Sequence, residues 1–288
     1  MNKLRQTVWL ENVERKKYPK LEQSIETDVV VIGGGITGVL TTYLLSKEGR
    51  KVVLIEKKQL GDYATKHTTA FLCQMIDTEL GDLISTFGEN KARKVVESHG
   101  KAIDLIEHIV QEENIDCDFM RCSDYMYACT AKEAEEFEEI LDDGIGLGLS
   151  IGLEPGEKLG FENFGYVEIK NQAKFHPLKF IEAIAEKAVN YGAEIYENTE
   201  AKEISESPLS IKTDNGTVNA NWIISATYEP FKQPFGLFFK KGMYRSYILE
   251  LHIPKGKFPE GIYEGMDNPY HYFRIDRKKT YDRMIIGG

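Results

Sequence analysis
Four glycines and one glutamate carry the clearest chemistry in this 288-residue chain. The run Gly33-Gly34-Gly35-Ile36-Thr37-Gly38 contains a G-x-G-x-x-G turn, and Glu56 stands 23 residues after Gly33. Each position has a task. Gly33 permits a tight turn, Gly35 lets a pyrophosphate approach the backbone without meeting a Cβ, and Gly38 lets a helix pack close to a sheet. A helix opening at Ile36-Thr37 would present unpaired N–H groups and its positive dipole end to the phosphates. Glu56 can accept hydrogen bonds from the ribose hydroxyls of an adenine nucleotide, and its charge disfavours a 2′-phosphate. The pattern predicts a dinucleotide site. Thr42 occupies a place where Ala or Gly is usual, because helix and strand touch there, so slightly looser packing is expected.

The elements that must hold this turn are legible around it. Asp28–Ile32 is a continuous apolar run, typical of a strand covered on both faces. Helix-compatible sequence runs to Lys47, Gly49 ends it, and Lys51–Ile55 reads as a second buried strand. Further on, Ala92, Val95, Val96, Ile103, Ile106 and Val110 recur at three- and four-residue spacing, which predicts a long amphipathic helix. Tyr125–Cys129 reads as a strand and Glu133–Leu141 as an acidic surface helix. Pro177 fits a first helical turn, with His176 before it as a structural cap and a stop before Gly192. A strand follows at Glu194–Glu197. Ser210–Thr213, Asp214-Asn215-Gly216 and Thr217-Val218 signal a hairpin, and Trp222–Ala226 a further strand. After Tyr228 the alternation at Ser246–His252 and Tyr270–Asp276 predicts an antiparallel sheet.

Length and composition bound the rest. The chain is long enough for about two domains. Its apolar fraction is 42% and its net charge −10, which argues against a nucleic-acid partner or a polybasic membrane surface. No stretch is long and apolar enough for a membrane span. Cys73, Cys117, Cys122 and Cys129 form no C-x-x-C pair, and no histidine pair has zinc-ligand spacing. The expectations are inert thiols, no metal site, and a cytoplasmic location.

On the segment Asp28–Leu72, and on Asn171–Pro177, Thr199–Ala201 and Ala226–Phe231, the chain resembles the FAD-dependent oxidoreductases of the D-amino-acid oxidase/glycine oxidase family. The likeness is strongest to the branch whose longer members carry a C-terminal Rieske domain, although no Rieske C-x-H…C-x-x-H set is present. The resemblance implies FAD as cofactor and a small-molecule substrate, an amine or amino acid, oxidised by hydride transfer. It implies an α/β fold: an FAD/NAD(P)-binding Rossmann-like domain (24–78 and 166–230) with an inserted α+β antiparallel-sheet substrate domain (79–165 and 231–288). Residues 1–23 are expected as an arm on the surface.

Position by position, the resemblance puts Glu56 and Lys57 at the adenosine end and Thr65 at the pyrophosphate. His67, Thr68, Thr69 and Ala70 run beside the flavin ring. Ala201 matches the residue whose backbone pairs with adenine, and Ala226-Thr227 pass near the cofactor, with Tyr228 where glycine is common. On the substrate side, Tyr270, Tyr272 and Arg274 share a strand face and are candidates to hold a carboxylate, with Arg245 and His252 as further candidates. In the family more chain follows the strand ending in a Gly-Gly pair. This sequence stops at Gly287-Gly288, so it is expected to be shortened, with one side of the flavin pocket open. A folded remnant that binds FAD weakly and a nicotinamide-dependent dehydrogenase are the rival readings.

Overall fold
A computed structural model describes residues 7–11, 13–229, 242 and 246–288. In chain order the first elements are β1 (Ile25–Ile32), α1 (Ile36–Lys47), β2 (Val52–Ile55) and β3 (Phe71–Leu72). Next come α2 (Leu80–Phe87), α3 (Glu89–Glu112), β4 (Met120–Tyr127), α4 (Ala131–Ala134) and α5 (Phe137–Leu147). The middle holds β5 (Ile151–Glu154), β6 (Tyr166–Lys174), α6 (Pro177–Asn190), β7 (Glu194–Tyr196), β8 (Glu203–Glu206) and β9 (Leu209–Lys212). The last are β10 (Thr217–Ser225), β11 (Ile248–Ile253), β12 (Gly261–Gly265), β13 (Tyr272–Arg277) and β14 (Asp282–Gly287).

The chain divides into two compact units. The first comprises Met1–Thr68, Ile115–Cys117 and His176–Met243; the second comprises Thr69–Asn114, Asp118–Phe175 and Tyr244–Gly288. Relative to the expected domains, 69–78 and 166–175 group with the second unit. Hydrogen bonding gives the reason: β6 pairs along its length with β4, and β3 pairs with β6.

The first unit is a six-stranded sheet in the order β7-β2-β1-β10-β9-β8, parallel through its first four strands. Val29–Ile32 and Val52–Ile55 are all buried, as their unbroken apolar runs require. Thr42, within α1, is fully buried, and its hydroxyl donates to the Gly38 carbonyl (2.8 Å), so the hydroxyl is satisfied within the helix. The hairpin at Asn215-Gly216 forms, and β10 then continues without a break through Trp222, because eight of its nine residues pair alongside β9 or β1. His176 caps α6: its Nδ1 accepts from Lys179 N–H (3.2 Å), with Pro177 in the first turn.

The arm is more deeply engaged than a surface strap. Trp9 and Leu21 are almost completely buried. The Trp9 indole N–H donates to Thr68 O (2.7 Å), and Leu21 N–H donates to the Thr199 hydroxyl (3.1 Å). An indole and a leucine have large apolar surfaces to hide, and the arm contains both.

The second unit is an eight-stranded sheet, β11-β14-β13-β12-β4-β6-β3 with β5 on β6, antiparallel except where β12 pairs with β4. One face holds stacked aromatics, with Tyr263 and Phe273 rings 4.2 Å apart. α2, α3 and α5 contribute to a separate apolar cluster in this unit. The acidic segment forms two helices, α4 and α5, because Thr130 and Glu133 cap the first as a reciprocal box. Among the described residues no helix is long and apolar enough to cross a membrane.

At the centre of this unit lies a buried charge network. Asp276 Oδ1 accepts from Arg274 Nη2 (2.7 Å) and Lys174 Nζ (3.0 Å), and Oδ2 accepts from Arg283 Nη2 (2.7 Å). Burial alone would raise the Asp276 carboxyl, but the three cations outweigh it and hold it far below the usual carboxylate range. A carboxyl depressed in the fold contributes stability above its unfolded value, about 3.9, and loses it as pH falls through the folded one. Replacing Asp276 by Asn is expected to cost about 3–5 kcal/mol at pH 7, because three buried cations lose a shared counter-charge, with Lys174 keeping Glu260 (2.8 Å). Urea unfolding of wild type and D276N checks this. The gap between them should narrow as the pH is lowered below 4, and an equal gap at both pH values contradicts it.

Candidate functional site
The end of β1, the start of α1 and the end of β10 meet at the glycine turn. Ala226 N–H donates to Ile32 O (2.9 Å) and Gly33 N–H to Ile55 O (2.9 Å), which ties the turn to the ends of β10 and β2. The glycines divide into two kinds. A Cβ on Gly33, which has φ +109°, would lie 2.7 Å from Ala226 O, and one on Gly38 would lie 1.8 Å from Gly33 O. These two serve the fold. A Cβ on Gly35 would meet nothing closer than Thr65 Oγ1 at 3.5 Å, yet Gly35 lines an open cavity. Its missing side chain is of use only to an occupant of that cavity.

The cavity measures about 530 Å³, a size typical of small-molecule sites. Gly33, Gly35, Ile36, Thr37, Glu56, Lys57, Thr65, Ala201, Ala226 and Thr227 line it, bringing together ten of the expected cofactor residues. Gly38 lies buried beneath it, in the packing. Gly35 is the N-cap of α1 and supplies no side-chain cap. The Ile36 amide donates to the buried Thr65 hydroxyl (3.1 Å). An oxygen that accepts there keeps its own hydrogen free to donate onward.

Glu56 leans over the turn. Its Oε2 accepts from Gly34 N–H (2.7 Å) and its Oε1 from Lys58 N–H (2.8 Å). A carboxylate has about four acceptor positions, so capacity remains for hydroxyl donors in the cavity. The backbone of Glu56 also places the adenine-side segment: Thr199 N–H donates to Glu56 O (2.8 Å), which brings 199–201 alongside. Two aromatic residues complete the lining. Tyr63 and Tyr228 meet edge to face at 5.2 Å, with Lys57 Nζ 5.9 Å from the Tyr63 ring centre. Tyr228 was visible in the sequence as a departure from glycine, whereas Tyr63 carried no signal.

His67 and Thr68 are exposed and lie outside this lining, at the end of a short 3₁₀ turn. Thr69 and Ala70 belong to the second unit, where Arg274 Nη1 donates to both of their carbonyls (2.9 and 3.2 Å). Ala70 is buried at φ +58°, a backbone state that a Cβ disfavours.

The substrate-side expectation needs correction at Arg274. That side chain is 2% exposed, and its guanidinium is bound to Asp276 and to the carbonyls of Thr69, Ala70 and Phe175. A strand interior this crowded turns the cation inward, not toward an incoming carboxylate. Tyr270 precedes β13, so strand alternation does not reach it. Its ring tilts against Tyr272 at 5.5 Å. His252 stacks on Tyr281 (4.1 Å), and Arg245 lies outside the described residues.

Residues 28–288 match a protein-family model, DAO, described as "FAD dependent oxidoreductase". The chain is 35% identical over 268 residues to the "Putative Rieske 2Fe-2S iron-sulfur protein YhfW" of Bacillus subtilis, covering 92% of this chain and 52% of that protein. The chain thus spans about half the length of curated relatives it matches. Among solved structures it resembles L-proline dehydrogenase from P. horikoshii (TM-score 0.67, 20% identity, 94% of this chain and 70% of that one). It also resembles glycine oxidase from Geobacillus kaustophilus (TM-score 0.66, 19% identity, 90% and 70%).

The two kinds of glycine lead to a paired expectation. Gly38→Ala should destabilise the fold by at least about 1–3 kcal/mol through overpacking, read by urea unfolding. Gly35→Ala should cost less than about 1 kcal/mol, the scale of an N-cap change, yet abolish dinucleotide binding. Equal destabilisation by both would contradict the division.

Proposed function
This chain belongs to the DAO family of FAD-dependent oxidoreductases, and on that premise we propose that it oxidises a small amine or amino acid at the C–H next to nitrogen. The observation that carries the reading is the cradle at Gly35: an open cavity floored by a Cβ-free residue, with the Glu56 carboxylate above it. Those features fit an adenine dinucleotide. Bound FAD supplies the two-electron acceptor.

The chain's own residues bind and orient. Glu56 accepts from the ribose hydroxyls. The amides of Gly35 and Thr37 face the diphosphate, where the α1 dipole favours negative charge, and the Ile36 amide acts through the Thr65 hydroxyl that it holds. The Thr65 hydroxyl donates to a phosphate oxygen, and Lys57 adds positive charge near the adenosine end. The Ala201 backbone pairs with adenine, while Ala226 and Thr227 line the cavity's inner wall. His67, Thr68, Thr69 and Ala70 run beside the ring, and the Trp9 and Arg274 hydrogen bonds to their carbonyls fix that run. With Arg274 neutralised internally, Tyr270 and Tyr272 are the proposed substrate contacts. The names of two similar proteins, a glycine oxidase and an L-proline dehydrogenase, support the amine class.

The test is a purified chain titrated with FAD. Wild type should take up FAD, followed by flavin absorbance. Glu56→Ala removes charge-assisted bonds worth about 1.5–3 kcal/mol, so its Kd for FAD should rise about 10- to 100-fold. Substrate-dependent bleaching of the bound flavin by amines or amino acids supports the proposed reaction. No flavin uptake by wild type, or no bleaching across an amine panel with oxygen or artificial acceptors, counts against it.

A further inference from the structure
In the second unit three side chains far apart in sequence converge. Cys73 follows β3, Asp124 lies on β4 and Glu264 on β12. One ligand-capable atom from each lies within 4.8 Å of the other two. Asp124 is 1% exposed, and its Oδ1 has no hydrogen-bond partner among the described residues. We propose that Cys73, Asp124 and Glu264 form a binding site for a divalent metal ion of the zinc class.

The register explains the convergence. β4 and β12 are parallel neighbours with Asp124 opposite Ile262, so Glu264, two residues on, points to the same face as Asp124. Cys73 is held in place by the residue after it. Gln74 N–H donates to Gln172 Oε1 (2.6 Å), and Gln172 Nε2 donates back to Gln74 Oε1 (3.0 Å). The Tyr270 hydroxyl and the Glu264 carboxyl act on each other electrostatically, which puts Tyr270 in the place of an outer partner that orients a ligating carboxylate. Asp77 is exposed and bears on Glu264 electrostatically, and Tyr270 is half exposed, so an ion can reach the trio from solvent.

The chemistry of the donors selects the ligand. An orphaned buried carboxylate oxygen is costly and must be met by a proton, a donor or a cation. The charge bearing on Asp124 is the like charge of Glu264, so a cation relieves both. A thiol beside two carboxylates is a poor receptor for an organic ammonium, magnesium or calcium, and a good one for zinc. Zinc bonds of about 2.3 Å to sulfur and 2.0–2.2 Å to oxygen place tetrahedral ligand atoms about 3.5 Å apart. The observed limit of 4.8 Å closes to that by side-chain rotation. Three protein ligands leave a fourth position for water. No local spacing announces this set, because its members come from three segments far apart in the chain.

The full-length chain incubated with one equivalent of Co²⁺ tests this, read as a difference spectrum so that any flavin absorbance cancels. We expect one ion per chain and a thiolate-to-cobalt charge-transfer band, both displaced by Zn²⁺. Cys73→Ser should abolish the band, and Cys129→Ser, at an exposed thiol, should leave it. Asp124→Asn and Glu264→Gln keep the thiol and should each weaken Zn²⁺ binding at least tenfold, which decides the matter if C73S does not fold. Absence of the band, its persistence in C73S, or unchanged affinity in both carboxamide variants overturns the proposal. Protection of Cys73 from alkylation by methylammonium but not by Zn²⁺ overturns it too, and reassigns the trio to an organic cation.

Discussion
A methyl group cannot pass between Gly38 and the carbonyl of Gly33, and that close approach sets the geometry of the first unit. Strand β1 delivers the chain to Gly33, α1 leaves at Ile36, and β10 lays Ala226 against the turn at the same point. Packing this tight aims the first amides of α1 toward the cavity, where the Thr65 hydroxyl accepts from the first of them. The Gly34 amide then fixes the Glu56 carboxylate over the opening (2.7 Å). An anion-receptive helix end and a hydroxyl-receptive carboxylate therefore sit in one cavity because the backbone had no alternative route.

The second unit is organised around buried charge. Lys174, Arg274 and Arg283 surround Asp276, each within hydrogen-bond reach. Removing such ions from water is costly unless every partner is present. The geometry of Arg274 shows the return: the same guanidinium that satisfies Asp276 also holds the carbonyls of Thr69 and Ala70, keeping Ala70 at its unfavourable φ. A residue read as a candidate substrate anchor instead positions the loop that the family likeness puts beside the ring.

What the sequence revealed and what it hid follow from the range of the interactions involved. Gly33, Gly38, Glu56, Pro177 and Asn215-Gly216 act within one turn or one βαβ connection, so their residue types report their roles directly. The burial of Trp9 depends on Thr68, and the grouping of Tyr166–Lys174 with the second unit depends on Met120–Tyr127. Neither partner is near in sequence. Arg274 failed for a sharper reason. Alternation says which side of a strand a side chain takes, and is silent on whether Asp276 and three carbonyls already wait there. Tyr63 was invisible because its meaning lies in Tyr228, brought to it by the turn at Gly33.

Asp124 and Asp276 make the point from opposite sides. Both are almost completely buried aspartates in strands of one sheet. Asp276 is met by three cations from its own chain and keeps its charge. Asp124 is met by another carboxyl and a thiol, so burial and the like charge of Glu264 push its carboxyl well above the usual range. Folding has supplied the counter-charge in one place and withheld it in the other. A fold that neutralises one buried aspartate with Lys174, Arg274 and Arg283 had the means to neutralise the second, and Asp124 is instead left with an oxygen that has no partner among the described residues. An arrangement of that kind is useful only if the missing positive charge, a proton or an ion, comes from outside the chain.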